Sequence, residues 1–164
     1  MEYDENLVFL RSIKLPFLIK EGWGITFDLL RSNLAYISDG SSYIYLCDVL
    51  DNFKILKKIE VKYKNSNISQ KLVNELQFIH GRIYANVYLS KFVVVIDPET
   101  GIIERKIDFS ELVERAENMQ SKLNMTALDR GECLNGIAYD RRNGHLIVTG
   151  KHWPLIFRVK LTNK

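Results

Sequence analysis

The chain has 164 residues, of which 46% are hydrophobic and 26% are charged. This composition is that of a globular protein of about one domain. The formal net charge is only +3, and the basic residues are scattered, so we expect no nucleic-acid partner. The longest apolar runs, such as 92–96, are too short to span a bilayer, and we expect no membrane partner.

Metal and disulfide chemistry have little support in the sequence. Cys47 and Cys133 are far apart, and the three histidines stand in no paired spacing. Two isolated cysteines make no disulfide framework, and the histidine spacing matches no zinc motif. We therefore predict no metal site and no cofactor.

The apolar residues recur mostly at a period of two, between Asp-Gly, Asn-Gly and similar turn pairs, which predicts a mostly β chain. The predicted strands, in chain order, are 8–15, 24–29, 34–38, 43–49, 55–62, 75–79, 82–89, 92–97, 102–109, 136–140, 145–149 and 155–161. Turns are predicted at 39–40, 80–81, 98–101 and 143–144, where Gly or Asn can adopt a positive φ.

One segment has a different period. Between 110 and 123 the apolar residues fall at helical spacing, which predicts a single amphipathic helix inserted among the strands. Asp108, with Glu111 three residues later, predicts a capping box at its start.

The strands also repeat as a unit. Similar segments centred on Ile13, Ile59 and Ile107 recur about every 47 residues, a length typical of a four-stranded β-propeller blade. We therefore predict an all-β fold of roughly three propeller blades. Because propellers close with about four to eight blades, we expect this chain not to close by itself, and its open blade edges predict possible self-association.

The openings of these units resemble those of a known family. The segments are Glu21-Gly-Trp-Gly-Ile-Thr-Phe-Asp28, Ser38-Asp-Gly-Ser-Ser42, Val73-Asn-Glu-Leu76, Ala85-Asn-Val87, Leu134-Asn-Gly-Ile-Ala-Tyr-Asp140 and Val148-Thr-Gly-Lys-His-Trp-Pro154. In order and spacing they resemble the plant and bacterial type of glutaminyl cyclase. Members of that family are five-bladed propellers that convert the N-terminal glutamine of peptides and proteins to pyroglutamate and release ammonia.

The resemblance implies a single partial domain that corresponds to the C-terminal part of such a propeller. It assigns 1–19 to the end of a preceding blade, 20–64 and 65–109 to two blades, 110–131 to the helix and a loop, and 132–164 to the last blade. The family carries further site residues upstream, in a Phe-Thr-Gln-Gly element and a Gly-Glu-Gly-like element, and neither occurs here. We therefore expect weak or no cyclase activity from this chain alone. An incomplete gene, a deliberate truncation and a degenerate paralogue each explain the absence.

The resemblance also implies the site residues. Trp23 would form an aromatic wall, Asn74 would hydrogen-bond the reacting amide, and Lys151 would act as a proton donor or oxyanion partner. Tyr88 stands where the family usually has a second Trp and would contact the substrate. Among the carboxylates near strand ends, Glu75 is the candidate catalytic residue.

Each of these residues also has a structural interpretation. Trp23 is compatible with a core position, and Lys151 with a solvated strand end. Asn at the start of a strand commonly closes an Asx turn, which is the role we expect for Asn135. Carboxylates near turns, such as Glu75, commonly accept backbone hydrogen bonds.

The leading hypothesis is therefore a glutaminyl-peptide cyclotransferase whose partner is a peptide or protein with N-terminal Gln. Two alternatives stay open. The missing upstream glutamate and Tyr88 favour a non-catalytic propeller fragment that acts as a binding scaffold. A metal-dependent, lactonase-like propeller would need oxygen ligands around a cation. Met1 is followed by acidic residues and not by a secretory signal, and a signal in a longer parent would lie upstream, so the compartment is not predicted.

Overall fold

The computed structural model describes residues 1–28, 31, 33–123 and 133–161. Within these ranges the elements are β1 (Glu2–Tyr3), β2 (Phe9–Arg11), β3 (Gly24–Phe27), β4 (Leu34–Ser38), β5 (Tyr43–Asp48), β6 (Lys54–Glu60), β7 (Lys62–Tyr63), β8 (Val73–Ile79), β9 (Arg82–Val87), β10 (Phe92–Ile96), β11 (Ile102–Asp108), α1 (Ser110–Lys122), β12 (Leu134–Asp140), β13 (His145–Gly150) and β14 (Phe157–Lys160). In the described ranges, no helix has both the length and the apolar character needed to cross a membrane.

The strands form successive antiparallel sheets. The first sheet has the order β3-β4-β5-β6, the second has β8-β9-β10-β11, and the third has β12-β13-β14. The short strand β7 pairs in parallel with β11 and so joins the second sheet, while β1 and β2 form a separate pair. In each of the three sheets, strands adjacent in sequence are adjacent in space, which is the simplest topology for short turns.

Every predicted strand overlaps an observed one, and the helix is where its period predicts it. Two glycines in the predicted turns, Gly40 and Gly81, have φ of 75° and 77°, as the turn chemistry requires. The predicted capping box is wrong. The N-cap is Phe109 and has no side-chain cap hydrogen bond, because the Asp108 carboxylate instead accepts from the backbone N–H and hydroxyl of Ser110.

The core consists of apolar layers between the sheets. One layer lies between the first and second sheets, where the rings of Tyr36 and Phe78 stack with centroids 5.7 Å apart. Another lies between the second and third sheets and includes Val95, Leu134 and Leu146. Each fully buried apolar side chain contributes about 1.5–3 kcal/mol, so these layers hold the sheets face to face.

Strand β8 lies between β3 and β12. The Ser38 hydroxyl donates to the Asn74 carbonyl oxygen at 2.6 Å, and the Thr26 hydroxyl accepts from the Phe78 N–H at 2.9 Å. A Cβ on Gly24 would collide with the backbone at Asn74. The absent side chain thus lets β3 approach β8 closely, and the first strands of the three sheets converge.

Candidate active site

A cavity of about 320 Å³ opens where the inner strands converge. All three sheets contribute to its lining, from strands and from the segments beside them. The lining residues are Glu21, Trp23, Asn74, Tyr88, Asn135 and Lys151. One cavity is therefore lined by an indole, a phenol, two carboxamides, a carboxylate and an ammonium.

Two β-bulges carry the asparagines of the cavity. In β8, Asn74 and Glu75 together oppose the single residue Asn86 of β9. In β12, Asn135 and Gly136 together oppose a single residue of β13. A bulge bends its strand and re-aims the side chains beside it. The two asparagines occupy the same position in successive sheets.

The two carboxamides form a pair across the sheets. The Asn74 Nδ2 donates to the Asn135 Oδ1 at 2.7 Å, and Asn74 as a whole residue is only 7% exposed. A carboxamide offers both a carbonyl acceptor and N–H donors. The side-chain oxygen of Asn74 and the side-chain nitrogen of Asn135 have no further hydrogen-bond partner among the residues that the structure describes. The pair therefore presents one acceptor and one donor to a ligand.

Asn86 holds this arrangement from behind. It is fully buried, its Oδ1 accepts from the Glu75 N–H at 2.8 Å, and its Nδ2 donates to the Leu134 carbonyl oxygen at 2.7 Å. The Asn86 side chain thus satisfies the Glu75 N–H, which the β8 bulge frees, and the Leu134 carbonyl oxygen, which lies just before the β12 bulge. We infer that Asn86 fixes the separation of Asn74 and Asn135.

The aromatic wall consists of Trp23 and Tyr88. Their rings meet edge to face with centroids 5.4 Å apart, a favoured geometry for aromatic pairs. Behind Trp23, a Cβ on Gly40 would lie 2.5 Å from the indole, so the ring packs on bare backbone. The Lys151 Nζ lies 4.9 Å from the centre of the Tyr88 ring, within the range of a cation–π interaction.

The segment 149–151, Thr-Gly-Lys, is held in place by hydrogen bonds and packing. The Lys151 N–H donates to the Cys133 carbonyl oxygen at 2.9 Å, and the indole of Trp153 packs against Gly150 so closely that a Cβ there would overlap it. The Thr149 hydroxyl donates to the Leu155 carbonyl oxygen at 3.0 Å. The backbone of Lys151 is therefore fixed, while its side chain is exposed at the mouth of the cavity.

Glu75 lies elsewhere. It lines a neighbouring cavity of about 460 Å³, which also borders Trp23. Burial raises the pKa of its carboxyl, because removal from water disfavours the charged form. The structure thus separates Glu75 from the cavity that holds Asn74, and the indole of Trp23 borders both spaces.

Four of the five residues that the sequence singles out as site residues line one cavity: Trp23, Asn74, Tyr88 and Lys151. Asn135, for which we expected only a turn role, lines it as well. The matching unit openings, with an Asn at the same place in 74–79 and 135–140, were the signal that relates Asn135 to Asn74.

Comparisons with known proteins show which family the chain is similar to. A family model described as glutamine cyclotransferase matches residues 1–161. The glutaminyl-peptide cyclotransferase of Arabidopsis thaliana is 33% identical over 144 residues, which cover 87% of this chain and 41% of that protein. The crystal structure of Myxococcus xanthus glutaminyl cyclase superposes with a TM-score of 0.73 at 31% identity and covers 85% of this chain and 55% of that one. The crystal structure of Kluyvelomyces marxianus Hsv2 shares the fold alone. It superposes with a TM-score of 0.51 at 10% identity and covers 87% of this chain and 34% of that one.

The chain thus spans about half the length of the relatives it matches, or less. The family model nevertheless extends over almost all of its residues. The chain belongs to the glutamine cyclotransferase family.

Proposed function

We propose that this chain forms part of a glutaminyl-peptide cyclotransferase, an aminoacyltransferase that closes the N-terminal glutamine of a peptide to pyroglutamate. The observation that supports this most is the shared cavity of Trp23, Asn74, Tyr88 and Lys151, in a chain of this family. The substrate class is a peptide or protein with N-terminal Gln.

The reaction joins two groups of one residue. The α-amine nitrogen attacks the side-chain amide carbon, a C–N bond closes the ring, and the bond to the amide nitrogen breaks. One proton moves from the attacking nitrogen to the departing group, which leaves as ammonia. A free α-amine has a pKa of about 8, so a useful fraction is neutral near pH 7. The site must therefore select the folded-back conformer and stabilise the oxyanion.

The cavity offers a group for each task. The free acceptor on Asn74 and the free donor on Asn135 match the N–H₂ and the carbonyl oxygen of a glutamine side chain. Trp23 and Tyr88 provide flat surfaces against which the folded-back substrate packs. The Lys151 ammonium provides a donor to the developing oxyanion or a proton to the departing ammonia. Glu75, in the adjoining cavity, would act on the substrate only from the far side of Trp23.

We propose further that the three sheets are blades of a five-bladed propeller, with the boundaries predicted from the sequence. The strand order of each sheet supports this. Because the relatives are about twice as long, we expect weak activity or none from this chain alone. Self-association through open strand edges stays a prediction.

The test is a titration of the full chain, followed by NMR, with a Gln-initiated tripeptide and the same tripeptide beginning with Ala, together with an ammonia-release assay. We expect selective binding of the Gln peptide and, at most, slow release of ammonia. Lys151→Met should weaken binding of the Gln peptide several-fold. The matched control is Lys57→Met, because Lys57 is ion-paired with Glu99 outside the cavity. Equal binding of both peptides, or no effect of Lys151→Met, would contradict the proposal and favour the scaffold alternative.

A further inference from the structure

A second cleft lies at the opposite end of β8, between the second and third sheets. Its volume is about 380 Å³. The second sheet contributes His80, Arg82, Tyr84 and Arg105, and the third-sheet side contributes Tyr139 and Leu161. Since β8 runs from Val73 to Ile79, the two cavities are about 16 Å apart along the strand. The cleft is separate from the proposed cyclase site.

One of the two arginines in the cleft is already neutralised. The Arg82 Nε donates to a Glu104 carboxylate oxygen at 2.6 Å, and Asp97 lies 4.0 Å from the same guanidinium. Arg82 therefore contributes little net positive charge to the cleft.

Arg105 is different. It makes no ion pair with any residue in the described ranges, and its Nη2 donates to the Tyr84 hydroxyl oxygen at 3.2 Å. A guanidinium has five N–H donors in a planar fork, which matches a carboxylate in a bidentate way. The bond to the largely buried Tyr84 positions this fork and leaves most of its donors available.

The hydroxyl groups and apolar side chains around Arg105 complete the cleft. The His80 Nε2 and the Tyr139 hydroxyl lie 2.8 Å apart and connect the second and third sheets, with their rings edge to face. Ile79 and Leu161 provide apolar surface. Ligand sites typically combine such apolar walls with a few converging polar groups.

We propose that this cleft binds a small organic carboxylate, with the carboxylate on the Arg105 guanidinium beside Tyr84 and an aromatic or aliphatic body against Ile79 and Leu161. The positive charge without an ion-pair partner selects an anion. The apolar walls favour an organic body over an inorganic ion. This inference does not depend on the proposed cyclase function.

The test is a titration of the full chain with benzoate, followed by NMR, with benzamide as the neutral analogue of the same shape. We expect saturable binding of benzoate, with shifts at Arg105, Tyr84 and Tyr139, and at least tenfold weaker binding of benzamide. None of these measurements depends on turnover of a Gln peptide, so this proposal and the proposed cyclase function succeed or fail separately.

Two variants at Arg105 test the mechanism. Arg105→Gln should weaken benzoate binding at least tenfold, and Arg105→Lys, which keeps the charge and loses the fork, should weaken it several-fold. Arg115→Gln is the matched control, because Arg115 pairs with Glu111 on α1 and should leave binding unchanged. Should Arg105→Gln fail to fold, the benzoate affinities of Arg105→Lys and Tyr84→Phe test instead whether Arg105, positioned by Tyr84, binds the carboxylate. No saturable binding, equal binding of benzamide, or full binding by the folded Arg105 variants would overturn the proposal.

Discussion

Two turn glycines form a natural pair of variants for testing how the aromatic wall is supported. Gly40 and Gly81 have almost the same φ, 75° and 77°. A Cβ on Gly40 would lie 2.5 Å from the Trp23 indole, whereas a Cβ on Gly81 would meet nothing within 4 Å. Replacing each by Ala therefore imposes the same backbone strain, and only Gly40→Ala adds a clash with the site.

The expected magnitudes follow from this difference. A non-glycine residue in the left-handed region costs about 1–2 kcal/mol, which is the whole effect expected for Gly81→Ala. Overpacking adds about 1–3 kcal/mol, so Gly40→Ala should lower the free energy of unfolding by about 2–5 kcal/mol. The clash also displaces the Trp23 ring from its edge-to-face contact with Tyr88.

The assay is urea denaturation of both variants, together with the indole N–H signals in NMR. We expect the Trp23 signal to shift in Gly40→Ala and to stay in place in Gly81→Ala, where the Gln-peptide affinity should also be unchanged. Equal losses of stability, or an unmoved Trp23 signal in Gly40→Ala, would refute the conclusion that the indole rests on Gly40.

Three further predictions concern groups that are buried or half-buried. Burial raises the pKa of the Glu75 carboxyl above 4.5, so the free energy of unfolding is highest while that carboxyl is protonated and falls as pH rises through its folded-state pKa. In urea denaturation, Glu75→Gln should therefore stabilise the chain at pH 7 and have no effect at pH 3.5. Destabilisation by Glu75→Gln at pH 7 would contradict this. Burial raises the pKa of the Cys47 thiol to about 11, so little reactive thiolate is present at pH 8. Mass spectrometry should show that Cys47 of the native chain is not alkylated by iodoacetamide at pH 8 until urea unfolds the chain. Asn86→Ala orphans two backbone groups, each worth about 1–3 kcal/mol, so calorimetry should record a clear fall in Tm, and an unchanged Tm would exclude the proposed role of Asn86.

Much of the fold was predictable because its signals are local. Alternating apolar residues and turn pairs such as His80-Gly81 determine strands and hairpins over a few residues, and the helical period of 110–122 differs sharply from its surroundings. The capping box failed for an equally local reason. The Asp108 carboxylate bonds to Ser110 two residues later, a competing interaction that is common for Asp.

The site was predictable only in part, because bulges alter which way side chains point. In a regular strand, neighbours such as Asn74 and Glu75 face opposite sides, and the sequence alone does not tell which side meets the cavity. The bulges at Asn74 and Asn135 depend on pairing with β9 and β13, which are contacts between strands. No period along one strand records them, so the resemblance indicated Asn74 as a site residue, whereas Asn135 was expected only to close a turn.

The repeated bulge explains why two asparagines meet at all. The first strands of the second and third sheets, β8 and β12, each carry an extra residue at the same place, so the Asn there is re-aimed in the same sense in both. Packing of the second sheet on the third then brings the two amides within 2.7 Å, and Asn86 bridges the two bulged strands by bonding to both backbones. The same bulge occurs in each of these two sheets, and when the sheets pack side by side its two asparagines become a matched hydrogen-bond donor and acceptor. Lys151 directly follows β13, the strand opposite the second bulge, and lines the same cavity as the two amides.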